Sequence, residues 1–394
     1  MKRRIRRCLL LSWGVLAFWG FCSQELIAGE SSRDEMQTLI QRGVEKGLNL
    51  DDRGAIAELT KAVELDRDRP IGYAYLAMAY LFFFETSFDE KEKKALEASL
   101  LKAVESAQAL AEKQIEKDPR NGEAFFSKAI ARMLKNRLEI LRRNYFRAFG
   151  EAQGVWDLLE KTRELDPQNY DVYYPMGVLH YQLAQLTGVA RWVTSVFITA
   201  GDRERGLKEF EIAHEKGRFT KDLAASNLVA AYSGYEKKPA LALPLARKLK
   251  EKYPHNYNFS FGLINIYSDL GRFEEAQSMA LEIENGIKAG RTPYRRELWP
   301  RYYQALGKIA FDRGEYEKAA ELCQQALKDQ APYNARTRAL ALVRLGMIQD
   351  VRKDRRAAED YYRQALEVKG AEGASQRLAS EYLDVPYSPK AKEK

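Results

Sequence analysis

The apolar positions of this chain recur at helical spacing from about residue 35 to residue 370, and no stretch alternates in the period of a strand. Ile56, Leu59 and Val63 mark one helix over 51–65. Pro70 opens a Tyr-rich helix running to Phe84, at a position where proline is well tolerated. The pattern further predicts a first helix over 30–50, a long charged Ala-rich helix over 91–117, a hairpin of 124–147 with 155–165, and a helix over 171–186. Two segments repeat one local grammar. Asp269-Leu-Gly271-Arg-Phe273-Glu-Glu-Ala276 is echoed 43 residues later by Asp312-Arg-Gly314-Glu-Tyr316-Glu-Lys-Ala319. Glycine after an acidic helix end takes the left-handed conformation that stops the helix. The following aromatic packs back, and glutamates open the next helix where its dipole favours them. A helix, a tight turn and a helix cannot bury their apolar faces alone, so neighbouring hairpins must stack. The expected fold is therefore all-α, an α-α superhelix (a solenoid of stacked hairpins) over 30–384, with no Ser/Gly-rich linker inside it.

These residues resemble the tetratricopeptide repeat family. The best copy runs from Trp299 to Pro332, with Tyr303, Leu306 and Gly307 on its first helix and Ala319, Cys323 and Ala326 on its second. Another offers Leu342, Leu345 and Gly346, then Ala358, Tyr362 and Ala365. First-helix matches recur at Tyr73, Leu76, Ala77 and Tyr80, at Phe125 and Ala129, and at Tyr173, Met176 and Gly177. The resemblance implies a binding scaffold that holds an extended peptide on its inner wall. Mapped onto the family pattern, that wall carries Ala74, Met78 and Leu81, then Phe126, Ile130, Met133, Tyr174, Val178 and Tyr181, then Phe261, Asn265, Arg301, Gln304 and Lys308. Its N-terminal half is apolar and its C-terminal half polar. The polar residues look scattered, which argues against the family's clamp for a C-terminal carboxylate. An alternative is that the wall is filled by the chain itself.

The block Thr187–Ala200 departs from the grammar: it is rich in β-branched residues and reads as an extra helix, with Trp192, Val193 and Phe197 available to fill the groove or touch a membrane. The string Gly201-Asp-Arg-Glu-Arg-Gly206-Leu is similar to the Iml2/tetratricopeptide-39 group. Residues 385–394 are expected to form a disordered tail.

The first 29 residues are of another kind. Lys2, Arg3, Arg4, Arg6 and Arg7 precede an apolar run from Leu9 to Phe21 and small residues at Ala28 and Gly29, the layout of a bacterial export signal. The run is short for a membrane span, which needs about 20 residues; retention as an N-terminal anchor is the alternative. An exported protein of the periplasm or bacterial envelope is expected. Removing this segment takes away five cations and one carboxylate and halves the formal charge of +8. The basic balance is thus poor evidence for nucleic-acid binding. It also removes Cys8 and Cys22, leaving Cys323 without an internal disulfide partner.

No chemistry is legible. His180, His214 and His255 lack metal-ligand spacing, and no phosphate loop or nucleophile motif occurs, so neither a cofactor nor catalysis is expected. Lys135–Arg147 is basic with interleaved aromatics, and reads as a helix with Leu138, Leu141 and Tyr145 inward. The leading expectation is a non-enzymatic scaffold for a protein or peptide partner; the alternative is a membrane-associated accessory of an envelope transport or assembly system.

Overall fold

The computed structural model describes residues 34–184, 201–371 and 373–389, and among them every regular element is helical. The export-type segment, the block carrying Trp192, Val193 and Phe197, and residues 390–394 lie outside the described residues. The architecture is a helical-hairpin repeat, a solenoid of stacked helix pairs. The chain divides into two compact units: Met1–Gly47, Asp51–Ser87 and Lys91–Asn169 form the first, and Leu48–Leu50, Phe88–Glu90 and Tyr170–Lys394 the second. The division falls after the turn following Leu165-Asp166-Pro167, where no linker composition marks it.

The first unit contains α1 (34–48), α2 (Asp52–Leu65), α3 (Pro70–Thr86), α4 (Glu90–Lys117), α5 (Gly122–Leu141) and α6 (Tyr145–Leu165). Asp51 caps α2 and Asn121 caps α5, each accepting from the backbone N–H three residues on. Helices α3 and α5 pack together and are tied at both ends by two-pronged ion pairs, Arg69 to Glu123 (2.6 Å for both bonds) and Arg137 to Glu85 (2.9 Å for both). The expected continuous helix through Arg147 is broken. Arg143 takes a left-handed φ of 65°, its N–H reaches Ile140 O, and Asn144 N–H reaches Glu139 O, the bonding pattern of a helix stop without glycine. The basic run is therefore a helix end, a turn and a helix start. Leu138 is buried, whereas Leu141 is exposed and not inward.

The second unit contains α7 (Tyr173–Leu183), α8 (Arg203–Lys216), α9 (Lys221–Ala230), α10 (Pro239–Lys252), α11 (Tyr257–Asp269), α12 (Phe273–Lys288), α13 (Trp299–Arg313), α14 (Tyr316–Ala326), α15 (Ala335–Val351), α16 (Arg355–Glu367) and α17 (Ala374–Asp384). Each helix packs on the next, and α11, α13, α15 and α17 also touch in sequence, first helix against first helix. The echoed turns behave as their residues dictate. Gly271 and Gly314 have φ of 71° and 85°. Tyr316 packs edge to face on Phe311 at 5.5 Å. A third copy hides at Lys353, φ 63°, with Asp354 N–H on Gln349 O and Lys353 N–H on Asp350 O.

Within each C-terminal hairpin the two helices cross where the first offers a glycine. An ideal Cβ on Gly307 would lie 2.9 Å from Cys323 Sγ, and one on Gly346 would lie 2.4 Å from the Tyr362 ring. Cys323 and Tyr362 thus fill equivalent slots, and Cys323 is a buried hydrophobe whose thiol burial pushes up to about 11. Gly206 has a like role: its Cβ would meet the Tyr181 backbone at 2.7 Å, so α8 can lie on α7 only because residue 206 has no side chain. The last described residues are docked. Asp350 accepts from Tyr362 Oη (2.8 Å), Arg355 (3.2 Å) and Tyr387 N–H (2.8 Å), and the Tyr387 ring sits 5.6 Å from Phe311 and 5.4 Å from Tyr382.

Candidate binding face of the second unit

In the first unit the wall positions are largely core. Phe126 and Ile130 are 2% and 4% exposed, Ala74 and Leu81 are buried, and Met78 and Met133 are half-buried. A fully buried leucine- or phenylalanine-sized side chain contributes about 1.5–3 kcal/mol to folding. Phe126 and Ile130 are placed for that role rather than for meeting a ligand.

In the second unit Tyr181 is also buried. Its ring meets Phe210 and Tyr235, each at 6.1 Å, and its hydroxyl donates to Glu236 at 3.0 Å. Burial, with Glu236 beside it, pushes the phenol well above its usual range. Tyr174 and Val178 are half-buried against the same cluster of α7, α8 and α9.

The polar positions on α11, α13 and α15 divide into two groups. Towards the C-terminal ends of these helices, Lys308 lies between Asp269 and Asp312 with its side chain 12% exposed. Ser268 donates to Asp312 at 2.6 Å, and Arg344 stands 3.8 Å from the same carboxylate. Burial raises the Asp312 carboxyl, but Lys308 and Arg344 outweigh it and hold the group below its usual range. This neutral network joins three successive first helices. Lys308 is committed to it.

Towards the N-terminal ends, Arg301 lies over the Phe261 ring, Cζ 4.1 Å from the centroid, and donates to Asn258 Oδ1 at 2.6 Å. It has no carboxylate partner among the described residues. Burial lowers the guanidinium to about 10, with Tyr257 opposing the shift and Arg336 adding to it. It stays protonated at neutral pH. Arg295 also acts electrostatically on Tyr257. Arg295 and Arg336 are exposed and likewise form no ion pair among the described residues. Asn265 is exposed one helical stretch further along α11, and Gln304 is buried. The structure therefore sets Arg301 on Phe261, which at 2% exposed is core like Phe126, leaves Asn265 exposed one turn further along α11, and takes Lys308 away into the brace.

Sequence reasoning passed over Asp171, whose buried Oδ1 accepts from Phe219 N–H (2.9 Å), Thr220 N–H (2.9 Å) and Thr220 Oγ1 (2.7 Å), fixing the turn between α8 and α9. A buried carboxylate at a helix entry carries no signal in a single sequence. His180 sits against Glu209 at 2.6 Å and His214 against the Lys221 carbonyl at 3.2 Å. Among the described residues no group of three or more His, Cys, Asp or Glu could hold a metal ion, and no helix is long and apolar enough to cross a membrane.

Residues 300–328 match the model of a tetratricopeptide repeat. No curated protein matches the chain. Among solved structures, the APC/C hetero-tetramer Cut9-Hcn1 is similar at 12% identity and a TM-score of 0.47, over 88% of this chain and 54% of that one. This chain thus spans about half the length of that relative. The human IFIT1 dimer with m7Gppp-AAAA is 17% identical over 88% and 85% of the two chains, with a TM-score of 0.44. Yeast Tom70 is 13% identical over 86% of each, with a TM-score of 0.39. The hairpin stack and the match at 300–328 make this chain a tetratricopeptide-like, all-α repeat protein.

Proposed function

We propose that this protein is a non-enzymatic scaffold that binds a segment of a protein partner on the first-helix face of its second unit, across α11, α13 and α15. The observation that carries the reading is Arg301. Arg301 is half-buried, and a cation withdrawn even in part from water is ordinarily paired with a carboxylate. Arg301 instead lies over Phe261 and, among the described residues, donates to Asn258 Oδ1. An acidic or carbonyl-rich segment would complete its bonding, and exposed Arg336 and Arg295 would draw it in. Asn265 would hold its backbone, as amides do for extended peptides.

The reading includes export to the periplasm or envelope, supported by the basic start and the apolar run of residues 1–29. The expected mature N-terminus lies after Ala28, which N-terminal sequencing of the fractionated protein checks. A photo-crosslinking residue at Asn265 in cells should capture one defined partner, and the same residue at exposed Leu281 on α12 should not. Arg301→Met should abolish the capture. Equal capture from both positions, or capture that survives Arg301→Met, would refute the assignment of this face.

A further inference from the structure

A second feature of this unit lies beside the face just described and is not used by it. The 3-10 turn Arg296–Leu298, the start of α13, the end of α14 and the 3-10 turn Pro332–Asn334 enclose an open pocket of about 470 Å³. Trp299 and Tyr303 stand one turn apart on α13 with ring centroids 5.8 Å apart and 24° between their planes, so they form one aromatic wall. Tyr333 lines the pocket as well, and all three rings are only partly buried.

The charges around these rings are unevenly placed. Asp329 accepts from Ala331 N–H at 2.8 Å and from Tyr333 Oη at 3.2 Å, and it has no ion pair among the described residues. Among the described residues Glu297 pairs only with Arg296, at a long 3.9 Å. The Arg296 side chain is 91% exposed and Lys328 is exposed too, so the cations stand in solvent at the rim. The carboxylates are drawn in instead: the Glu297 side chain is 28% exposed and Asp329 is partly buried. Both act on Tyr333, whose phenol is raised by burial and then by Asp329 and Glu297. Three partly buried rings, of which Tyr333 also meets the Phe88 ring edge to face at 5.1 Å, and two carboxylates with no cation closer than 3.9 Å among the described residues make an environment that attracts positive charge to aromatic surface.

We propose that this pocket, formed by Trp299, Tyr303, Tyr333, Glu297 and Asp329, binds the guanidinium or ammonium of an arginine or lysine side chain presented by a peptide partner. The aliphatic stem lies along the Trp299–Tyr303 wall, and the charged head reaches Asp329 and Glu297. An apolar side chain would leave both carboxylates desolvated without compensation, which sets the preference for a cation.

The test is a titration of the labelled protein with N-acetyl-arginine methylamide, followed through the indole N–H resonance of Trp299, which is assigned by its loss in Trp299→Phe. A saturable shift with a dissociation constant on the order of millimolar is expected for one side chain. Asp329→Asn keeps an acceptor for Ala331 N–H, turns the Tyr333 contact into one donated by the new amide, and removes the charge, and it should weaken binding roughly five-fold. N-acetyl-norleucine methylamide, the neutral counterpart, should bind at least roughly ten-fold more weakly. Three results overturn the proposal: equal binding of the norleucine compound, tighter binding of methyl glucoside, or no saturable shift with the arginine compound while far-UV circular dichroism shows the protein folded.

Discussion

Two glycines in the middle of helices should answer the same substitution with opposite signs. Gly262 lies inside α11 with no heavy atom within 4 Å of where a Cβ would stand, and Gly346 lies inside α15 with that position 2.4 Å from Tyr362 Cε1. Alanine in place of a helical glycine removes an entropic cost of about 0.5–1 kcal/mol. Gly262→Ala should keep that gain whole. At position 346 the new methyl group must displace Tyr362, which is fully buried and donates from Oη to Asp350 at 2.8 Å. Overpacking of this kind costs about 1–3 kcal/mol. Disturbing a hydrogen bond to a charged acceptor adds about 1.5–3 kcal/mol where the bond is lost. After the helix-propensity gain, Gly346→Ala should destabilise by about 0.5–2 kcal/mol from overpacking alone, and because that gain is common to both variants they should differ by about 1–3 kcal/mol, or more where the bond is lost. Urea unfolding followed by far-UV circular dichroism measures both, with the slope required to stay constant so that a midpoint change is a stability change. A destabilised Gly262→Ala would show that the open space is not open. A Gly346→Ala protein as stable as the parent would refute the view that close helix crossing, rather than helix propensity, selects the glycine in this slot.

Lys353 occupies the left-handed position that Gly314 fills one repeat earlier, and its side chain is exposed. Lys353→Gly should therefore raise stability by about 0.5–1 kcal/mol in the same urea assay, the left-handed strain of about 1–2 kcal/mol less the entropy of glycine. Asp171→Ala takes their shared acceptor from one buried and one partly buried backbone N–H group and from Thr220 Oγ1, and should cost about 2–3 kcal/mol, read as a lower urea midpoint. The Asp312 carboxyl is held below its usual value in the folded state, so the stability it contributes is complete above its unfolded pKa of about 4 and is lost as pH falls through the lower folded value. The stability gap between the parent and Asp312→Asn should accordingly shrink between about pH 6 and pH 3, and a gap independent of pH would count against the brace.

The hairpin grammar was legible wherever one residue type has one physical reason to be present. Gly271 and Gly314 stop helices, and the structure gives both the left-handed φ read from the sequence. The small residues Ala319, Ala326, Ala358 and Ala365 are fully buried where second helices lie against first ones. The third turn escaped notice because Lys353 carries the strain without glycine, held by backbone bonds that any residue can make. Arg143 hid the break between α5 and α6 in the same way. Propensity reports what a residue prefers; these two positions report what the neighbouring helices impose.

The candidate site was less legible, for a related reason. The family pattern orders positions along each first helix, but it does not say which of them a neighbouring helix will cover. Phe126 and Tyr181 fell on the mapped wall and are core, because the helices packed on their own, α3 and α6 for Phe126 and α8 with the turn ending at Glu236 for Tyr181, close over them. Lys308 and Arg301 are seven residues apart on one helix and look alike in the sequence. Their difference is made by carboxylates on other helices and on the next turn. Asp269 and Asp312 neutralise Lys308, whereas Arg301 meets Phe261, Asn258 and the like charge of Arg336. A charge already satisfied within the fold holds helices together. A charge with no counter-ion among the described residues, as at Arg301, is what the proposed partner-binding face rests on.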